Sequence, residues 1–267
     1  MVLENAAGLR VEMLSNGAVR RMFCGDFMVN LFTGSEAEGG LANVWLGIGE
    51  SEYLPLTGPM SGSKLSRGRN GCVWTGMHEQ VRYRVEFILA QNSPTWFWRI
   101  ALENLSDEAM PCILLHTQDI GIADQGAIRL NEFFVSQYID HTVLDHPDHG
   151  PVIASRQNQP MGGNHPFTMI GAMGRATSYA TDAMQVFALY GRTDAIRSAI
   201  LTELPGEHLQ HEHSMVALEA EEIHLEPNAT GEAGFFGHFV AHHPEASDSH
   251  DLARIEEILP APDHGCH

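Results

Sequence analysis

The sequence predicts an all-β protein, a large antiparallel β-sandwich followed by a single helix near the C-terminus. Two observations predict the strands. Short runs in which apolar and polar residues alternate recur along most of the chain, the pattern of half-buried strands. Turn signals such as Asn16-Gly17, Asn92-Ser93-Pro94 and Asn104-Leu105-Ser106-Asp107 punctuate these runs at short intervals. The third observation concerns helices: before position 245, only Thr193–Leu201 offers a fair amphipathic pattern. So many short strands imply large sheets.

Taken in order, Leu9, Val11 and Met13 alternate with Arg10 and Glu12, and Asn16-Gly17 turns the chain into Val19–Phe23. Arg20 and Arg21 point to opposite faces of that strand. Phe27–Phe32 is a further apolar run, and Trp45-Leu46 lies in a short strand. The stretch from Pro55 to Gly71, rich in Pro, Gly and Ser, reads as loop. Val81–Leu89 is the clearest strand, with Val81, Tyr83, Val85, Phe87 and Leu89 on one face. Trp96, Trp98, Ile100 and Leu102 share a face of the next strand, so the two runs form a hairpin over a common core. The same pattern continues through Ile113–Ile120, Ala127–Tyr138, Val152–Arg156, Thr168–Ala172 and Thr177–Thr181. It resumes in Val186–Tyr190, Ser214–Leu218, Glu222–Leu225 and Gly234–Ala241. At the end, Ser247-Asp248-Ser249 offers caps, and Leu252, Ile255, Ile258 and Leu259 recur at helical spacing before Pro260. That apolar stripe either docks back on the sandwich or packs on a following domain. The tail after Pro260 carries no structural signal, which divides the chain into a sandwich over 1–246, a helix over 247–260 and a disordered tail over 261–267.

With 15 basic against 34 acidic residues the formal charge is −19. Nucleic acid and anionic membranes both demand clustered Lys and Arg, so neither is an expected partner. No stretch is apolar and long enough to span a bilayer, and the N-terminus lacks the basic head and apolar run of a signal peptide. Cys24, Cys72, Cys112 and Cys266 are far apart and form no CxxC pair. Free thiols in a reducing cytoplasm are the simplest account.

The polar residues suited to ligand recognition are densest between Asn131 and Phe167. Tyr138, Asp140, His141, Arg156, Gln157 and Asn158 stand there among aromatic residues and glycines. Sugar hydroxyls need paired donors and acceptors, and the C–H face of a pyranose needs an aromatic floor. The same composition also fits a well hydrogen-bonded connection between strands. Trp96 and Trp98 read as core, whereas Trp74, in a polar context, is the tryptophan expected to be exposed. Paired carboxylates for glycosidic chemistry can be drawn from Asp119, Asp124, Glu132 and Asp140, without any spacing that says which face one another. His211 and His213 form HxH beside Glu207 and His208, and His238 and His242 share a strand face. Sixteen histidines produce such pairs by chance, so neither a metal nor a cofactor is assigned. No nucleophile elbow, phosphate loop or dinucleotide fingerprint occurs.

Six segments occurring in order carry a resemblance: ENAAGLRVEMLSNGAVRRM, NLFTGSEAEGGLANVWL, NEFFVSQYIDHTVL, ASRQNQPMGGNHPF, ATDAMQVFALYG and LQHEHSMVALE. Together, over residues 4–259, they resemble the N-terminal β-sandwich of glycoside hydrolase family 94, the inverting glycoside phosphorylases. The most similar branch comprises 1,2-β-oligoglucan phosphorylase and the phosphorylase-like part of cyclic β-1,2-glucan synthase. The resemblance implies a galactose-mutarotase-like super-sandwich, a linker helix and then an (α/α)6 barrel. It implies reversible phosphorolysis of β-1,2-linked glucans, with the catalytic acid on the barrel, so it assigns no catalytic residue to this chain. Its implied partners are β-glucan oligosaccharide and phosphate through the full enzyme, the barrel, and a second copy in a homodimer. The apolar stripe at Leu252–Leu259 is then expected to await the barrel. Tyr138, Asp140, His141, Arg156, Gln157 and Asn158 are expected at the barrel-facing edge, orienting glucan or partner. Two other readings are a standalone glucan-binding or assembly module, and a mutarotase-like enzyme pairing His141 with Glu132.

Overall fold

A computed structural model describes residues 1–49, 53–68, 71–187, 204–208 and 213–259. Among the described residues the expected all-β architecture is present as three antiparallel sheets of five, eight and six strands. The five-stranded sheet runs in the order β1 (Val2–Glu4), β2 (Leu9–Met13), β3 (Val19–Cys24), β4 (Phe27–Met28) and β12 (Ala123–Asp124). The eight-stranded sheet begins with β13 (Ile139–His146), β14 (Gly150–Gln157), β15 (Phe167–Ala172) and β19 (Thr230–Val240). It continues through β10 (Thr95–Asn104), β9 (Val81–Leu89), β8 (Gly71–His78) and β7 (Lys64–Arg67). The six strands of the third sheet include β16 (Ala176–Asp182), β17 (Ser214–Ala220), β11 (Met110–Asp119), β5 (Asn43–Ile48) and β6 (Leu54–Pro55); β18 (Ile223–Leu225) also pairs with β11.

The inner face of the eight-stranded sheet packs on the other two, and one core contains residues from all three. Register explains why aromatics meet there. Trp98 lies opposite Phe87 on one side and Phe235 on the other. Its ring approaches Phe87 at 4.6 Å and Trp74 at 5.8 Å between centroids. Trp74 is therefore fully buried, not exposed. It alternates with Cys72 on the inward face of β8, and Gly17 closes over it. A Cβ on Gly17 would sit 2.4 Å from the Trp74 indole nitrogen, and its φ of +85° is the left-handed turn conformation that glycine adopts freely. His116 stacks on Phe235 with centroids 5.1 Å apart, and burial pushes its imidazole down to about 4. Cys24, Cys72 and Cys112 are free and buried, and burial raises each thiol to about 11.

Several sequence expectations need correction. The run Ala127–Tyr138 is not a strand but two short helices, α1 (Gln125–Leu130) and α2 (Glu132–Ser136). Val186 ends a third, α3 (Ala183–Val186). Lys64–Arg67, inside the expected loop, forms the edge strand β7. The apolar stripe does not stand open. A 3-10 turn (Ser249–Ala253) leads into the C-terminal helix (Arg254–Ile258), whose Ile255 and Ile258 are 2% and 6% exposed. They pack on Leu144, Val152, Phe167, Met169 and Phe236, the outward face of the eight-stranded sheet, with Leu252 and Leu259 beside them. Each such isoleucine contributes about 1.5–3 kcal/mol of burial. The helix expected at Thr193–Leu201, His211 of the HxH pair, most of Val186–Tyr190 and the tail 261–267 lie outside the described residues. No helix among the described residues is long and apolar enough to cross a membrane.

Candidate functional site

Two Asx caps shape the region around α2. The Asp124 carboxylate accepts from the Gly126 and Ala127 amides at 2.7 and 3.2 Å, starting α1. The Asn131 amide oxygen accepts from the Phe134 amide at 3.0 Å, starting α2 immediately after α1 ends. Ile128 and Val135 turn inward. Leu130, Phe133, Phe134 and Tyr138 turn outward and are 89%, 38%, 44% and 39% exposed. Phe134 and Tyr138 meet edge to face at 5.0 Å, and Phe133 meets His213 edge-on at 5.2 Å. The Asn158 amide donates to the Tyr138 carbonyl at 2.8 Å, which puts the exposed Asn158 beside this aromatic platform.

The register of β13 and β14 sets Ile139 against Gln157 and His141 against Ser155 on the inward face, and Asp140 against Arg156 on the outward face, where the His243–Pro244 segment covers Arg156. Of the six candidate residues, Tyr138 and Asn158 are exposed and Asp140 half-buried. The other three are buried and bonded inside the protein. His141 shares Nδ1 with the Ser155 hydroxyl and Nε2 with the Ser214 hydroxyl, both at 2.9 Å. Burial, aided by the charge of His208, pushes its imidazole down to about 3. With both ring nitrogens bonded to serine hydroxyls, His141 joins β13 to β14 and β17 from within the core. The Gln157 side chain donates to the Val135 carbonyl at 3.2 Å and accepts from the Gln159 amide at 3.0 Å, tying α2 to β14.

Arg156 is a clamp. Its guanidinium donates to the His243 and Pro244 carbonyls at 2.8 and 2.9 Å and to the Asn158 side chain. His243 in turn stacks on Phe167 with centroids 4.5 Å apart and places Nε2 2.7 Å from the buried Asp251 carboxylate. Asp251 also accepts from Arg254 Nε at 3.2 Å and from the Asp248 amide. Arg156 thus links the exposed Asn158 to the C-terminal helix.

Of the carboxylates drawn from the sequence, Asp119 is buried and accepts from the Phe32 amide at 2.7 Å, Asp124 is a helix cap, and Glu132 stands in the first turn of α2. His238 is half-buried and bonded to the Thr95 hydroxyl at 2.8 Å, while His242 accepts from the His165 amide. Among the described residues, no group of three or more His, Cys, Asp or Glu side chains is arranged to hold a metal ion. The platform residues Leu130, Phe133 and Phe134 were absent from the sequence candidates. The two Asx caps were the available signal, since they break Ala127–Tyr138 into helices that cannot hide both phenylalanines.

Comparison with known proteins agrees with this architecture. The chain is 27% identical over 257 residues to a 1,2-beta-oligoglucan phosphorylase of Listeria innocua, spanning 95% of this chain and 23% of that protein. A bacterial glucoamylase solved with acarbose superposes with a TM-score of 0.58 at 13% identity, over 98% of this chain and 34% of that one. A protein described as a kojibiose phosphorylase from the human microbiome gives 0.53 at 11% identity, over 98% and 33%. Both likenesses show a shared fold. The chain therefore spans about a quarter of the phosphorylase and a third of each solved structure. The family model described as the SOGP N-terminal domain matches residues 12–237. The chain belongs to the SOGP N-terminal domain family.

Proposed function

We propose that this sandwich is the non-catalytic N-terminal domain of a cytoplasmic, inverting phosphorylase of glycoside hydrolase family 94 acting on β-1,2-glucans. The observation that carries the reading is the extent of the match, which takes in 95% of this chain but 23% of the Listeria phosphorylase. On this reading the sandwich (1–246) and linker helix (247–260) pack on an (α/α)6 barrel that performs phosphorolysis with phosphate. The platform of Phe133, Phe134 and Tyr138, with Asp140 and Asn158 beside it, faces the barrel and the mouth of its substrate cleft. Exposed aromatic rings beside amide and carboxylate groups suit either a sugar ring or a partner surface. Arg156, Gln157 and His141 hold that edge in shape from within.

Reconstitution tests this. The chain is mixed with the catalytic region of a β-1,2-oligoglucan phosphorylase stripped of its own N-terminal domain, and release of glucose 1-phosphate is followed. Restored phosphorolysis is expected, together with a loss of about ten-fold in the Phe134→Ala/Tyr138→Ala chain. Failure to form a complex overturns the reading. A standalone glucan-binding or assembly module is the second reading. It is favoured by the C-terminal helix, which covers its own apolar stripe on the sandwich without a further domain. It predicts oligosaccharide affinity for the isolated chain and no effect on the catalytic region.

A further inference from the structure

We infer that the outward face of the eight-stranded sheet carries a second carbohydrate site, a cleft over β9, β10 and β19 that takes a neutral oligosaccharide. The inference rests on the carbohydrate reading above but not on the platform around Tyr138. The cleft has a cavity of about 660 Å³, within the ~300–1,000 Å³ usual for small-ligand clefts. Along β19 it lies six residues from the row that joins Arg156, Phe167 and Val240, or about 20 Å at strand spacing. The C-terminal helix packs on the sheet between the two.

The floor is made of small residues. Ala101 and Gly234 supply it at the centre of the sheet, and Met173 borders it. Gly234 cannot be enlarged, because a Cβ there would meet Met173 Sδ and the Trp98 carbonyl at 2.7 Å. Long charged side chains rise around this low, apolar floor. Arg84, Arg99 and Arg175 bring three positive charges, and Glu86, Glu221, Glu222 and Glu232 bring four negative ones. Arg84 is paired with Glu86. Arg99, Glu221, Glu222 and Glu232 make no ion pair among the described residues. Arg99 instead lies against the Phe97 ring, 5.8 Å from its centroid, which fixes the plane of its guanidinium.

Near-balanced charge selects against both anions and cations as ligands. The Arg99 guanidinium and the spare N–H groups of Arg84 and of Arg175, which also donates to the Pro147 carbonyl at 2.8 Å, share the cleft with the carboxylates of Glu221, Glu222 and Glu232, a set that matches hydroxyl groups, each of which donates and accepts. The flat, apolar floor accepts the C–H face of a pyranose. The class so defined is an uncharged oligosaccharide, with glucose 1-phosphate excluded by the four carboxylates.

The test is calorimetric titration of the full chain with a β-1,2-linked glucotetraose and, separately, with glucose 1-phosphate. Wild type is expected to bind the neutral tetramer. Arg99→Ala and Glu232→Ala, both at exposed positions, are expected to weaken it by about ten-fold or more, with unchanged thermal unfolding. Ala101→Leu, which fills the floor, is expected to do the same, while Arg82→Ala, on the same face but outside the cleft, keeps wild-type affinity. Absence of binding overturns the inference. So does binding that Tyr138→Ala abolishes and Arg99→Ala leaves intact, or a preference for glucose 1-phosphate. None of these results touches the reconstitution assay, so the failure of this site and the failure of the domain assignment remain distinguishable.

Discussion

One sheet presents two different outer surfaces. Over β13, β14, β15 and the end of β19, the outward residues are Leu144, Val152, Phe167, Met169 and Phe236, and the C-terminal helix covers them. Over β9 and β10 they include Arg82, Arg84, Glu86, Arg99 and Glu103, which meet water. The inward faces of both halves belong to one continuous core. Strand pairing is the same in each half, so outward composition alone decides which half is roofed. An apolar row recruits a helix, and a row of mixed charge leaves a cleft.

The largest way to break this contrast is to remove the centre of the roofed half. Phe236→Ala should cost about 3–5 kcal/mol, read as a lower urea midpoint, because Ile255 and Ile258 lose their seat. Acid titration probes a group outside both halves. Burial pushes the Asp119 carboxyl up to about 6, and this outweighs the amides of Phe32 and Leu31 that favour its ionised form. A raised carboxyl stabilises in full below its unfolded value of 3.8 and loses that contribution as pH rises through about 6. Asp119→Asn should flatten the melting temperature between those limits and gain up to about 3 kcal/mol on wild type at neutral pH. If the wild-type decline persists in the variant, the pH dependence lies elsewhere. Asp251→Ala frees His243 and Arg254 at the helix entry and should cost about 2 kcal/mol, with faster hydrogen exchange confined to residues 249–258. In the open half, Arg82→Ala breaks a 2.7 Å pair with Glu103 whose arginine is 59% exposed. It should change stability by no more than about 0.5 kcal/mol. A larger loss would show that the open half is held by its charges after all.

The fold was legible because alternation reports burial directly. Val81–Leu89 and Thr95–Asn104 show their inward faces residue by residue, and the hairpin follows. The short helices were not legible from periodicity, since α1 and α2 have six and five residues and complete too few turns to reveal 3.6-residue spacing. β7 was hidden by its polarity, because an edge strand with little buried surface reads as loop. The candidate region was found by its composition, but composition does not give facing. Alternation along β13 puts His141 inward with Ile139 and Asp140 outward, a distinction the density of polar residues conceals. Arg156 is a different case. Its partners, the carbonyls of His243 and Pro244, lie 87 and 88 residues away, and no local pattern announces them.

The edge strand β7 has a consequence for how copies of the protein meet. Among the described residues its backbone is unpaired on one side, the kind of rim on which another chain can be templated. Were a second copy to pair there in antiparallel register, Lys64 would come to lie across from Arg67, and Arg67 across from Lys64. Two like charges would then face each other at both ends of a four-residue strand that buries almost nothing in return. Two cationic side chains at the rim thus act as a guard against aggregation.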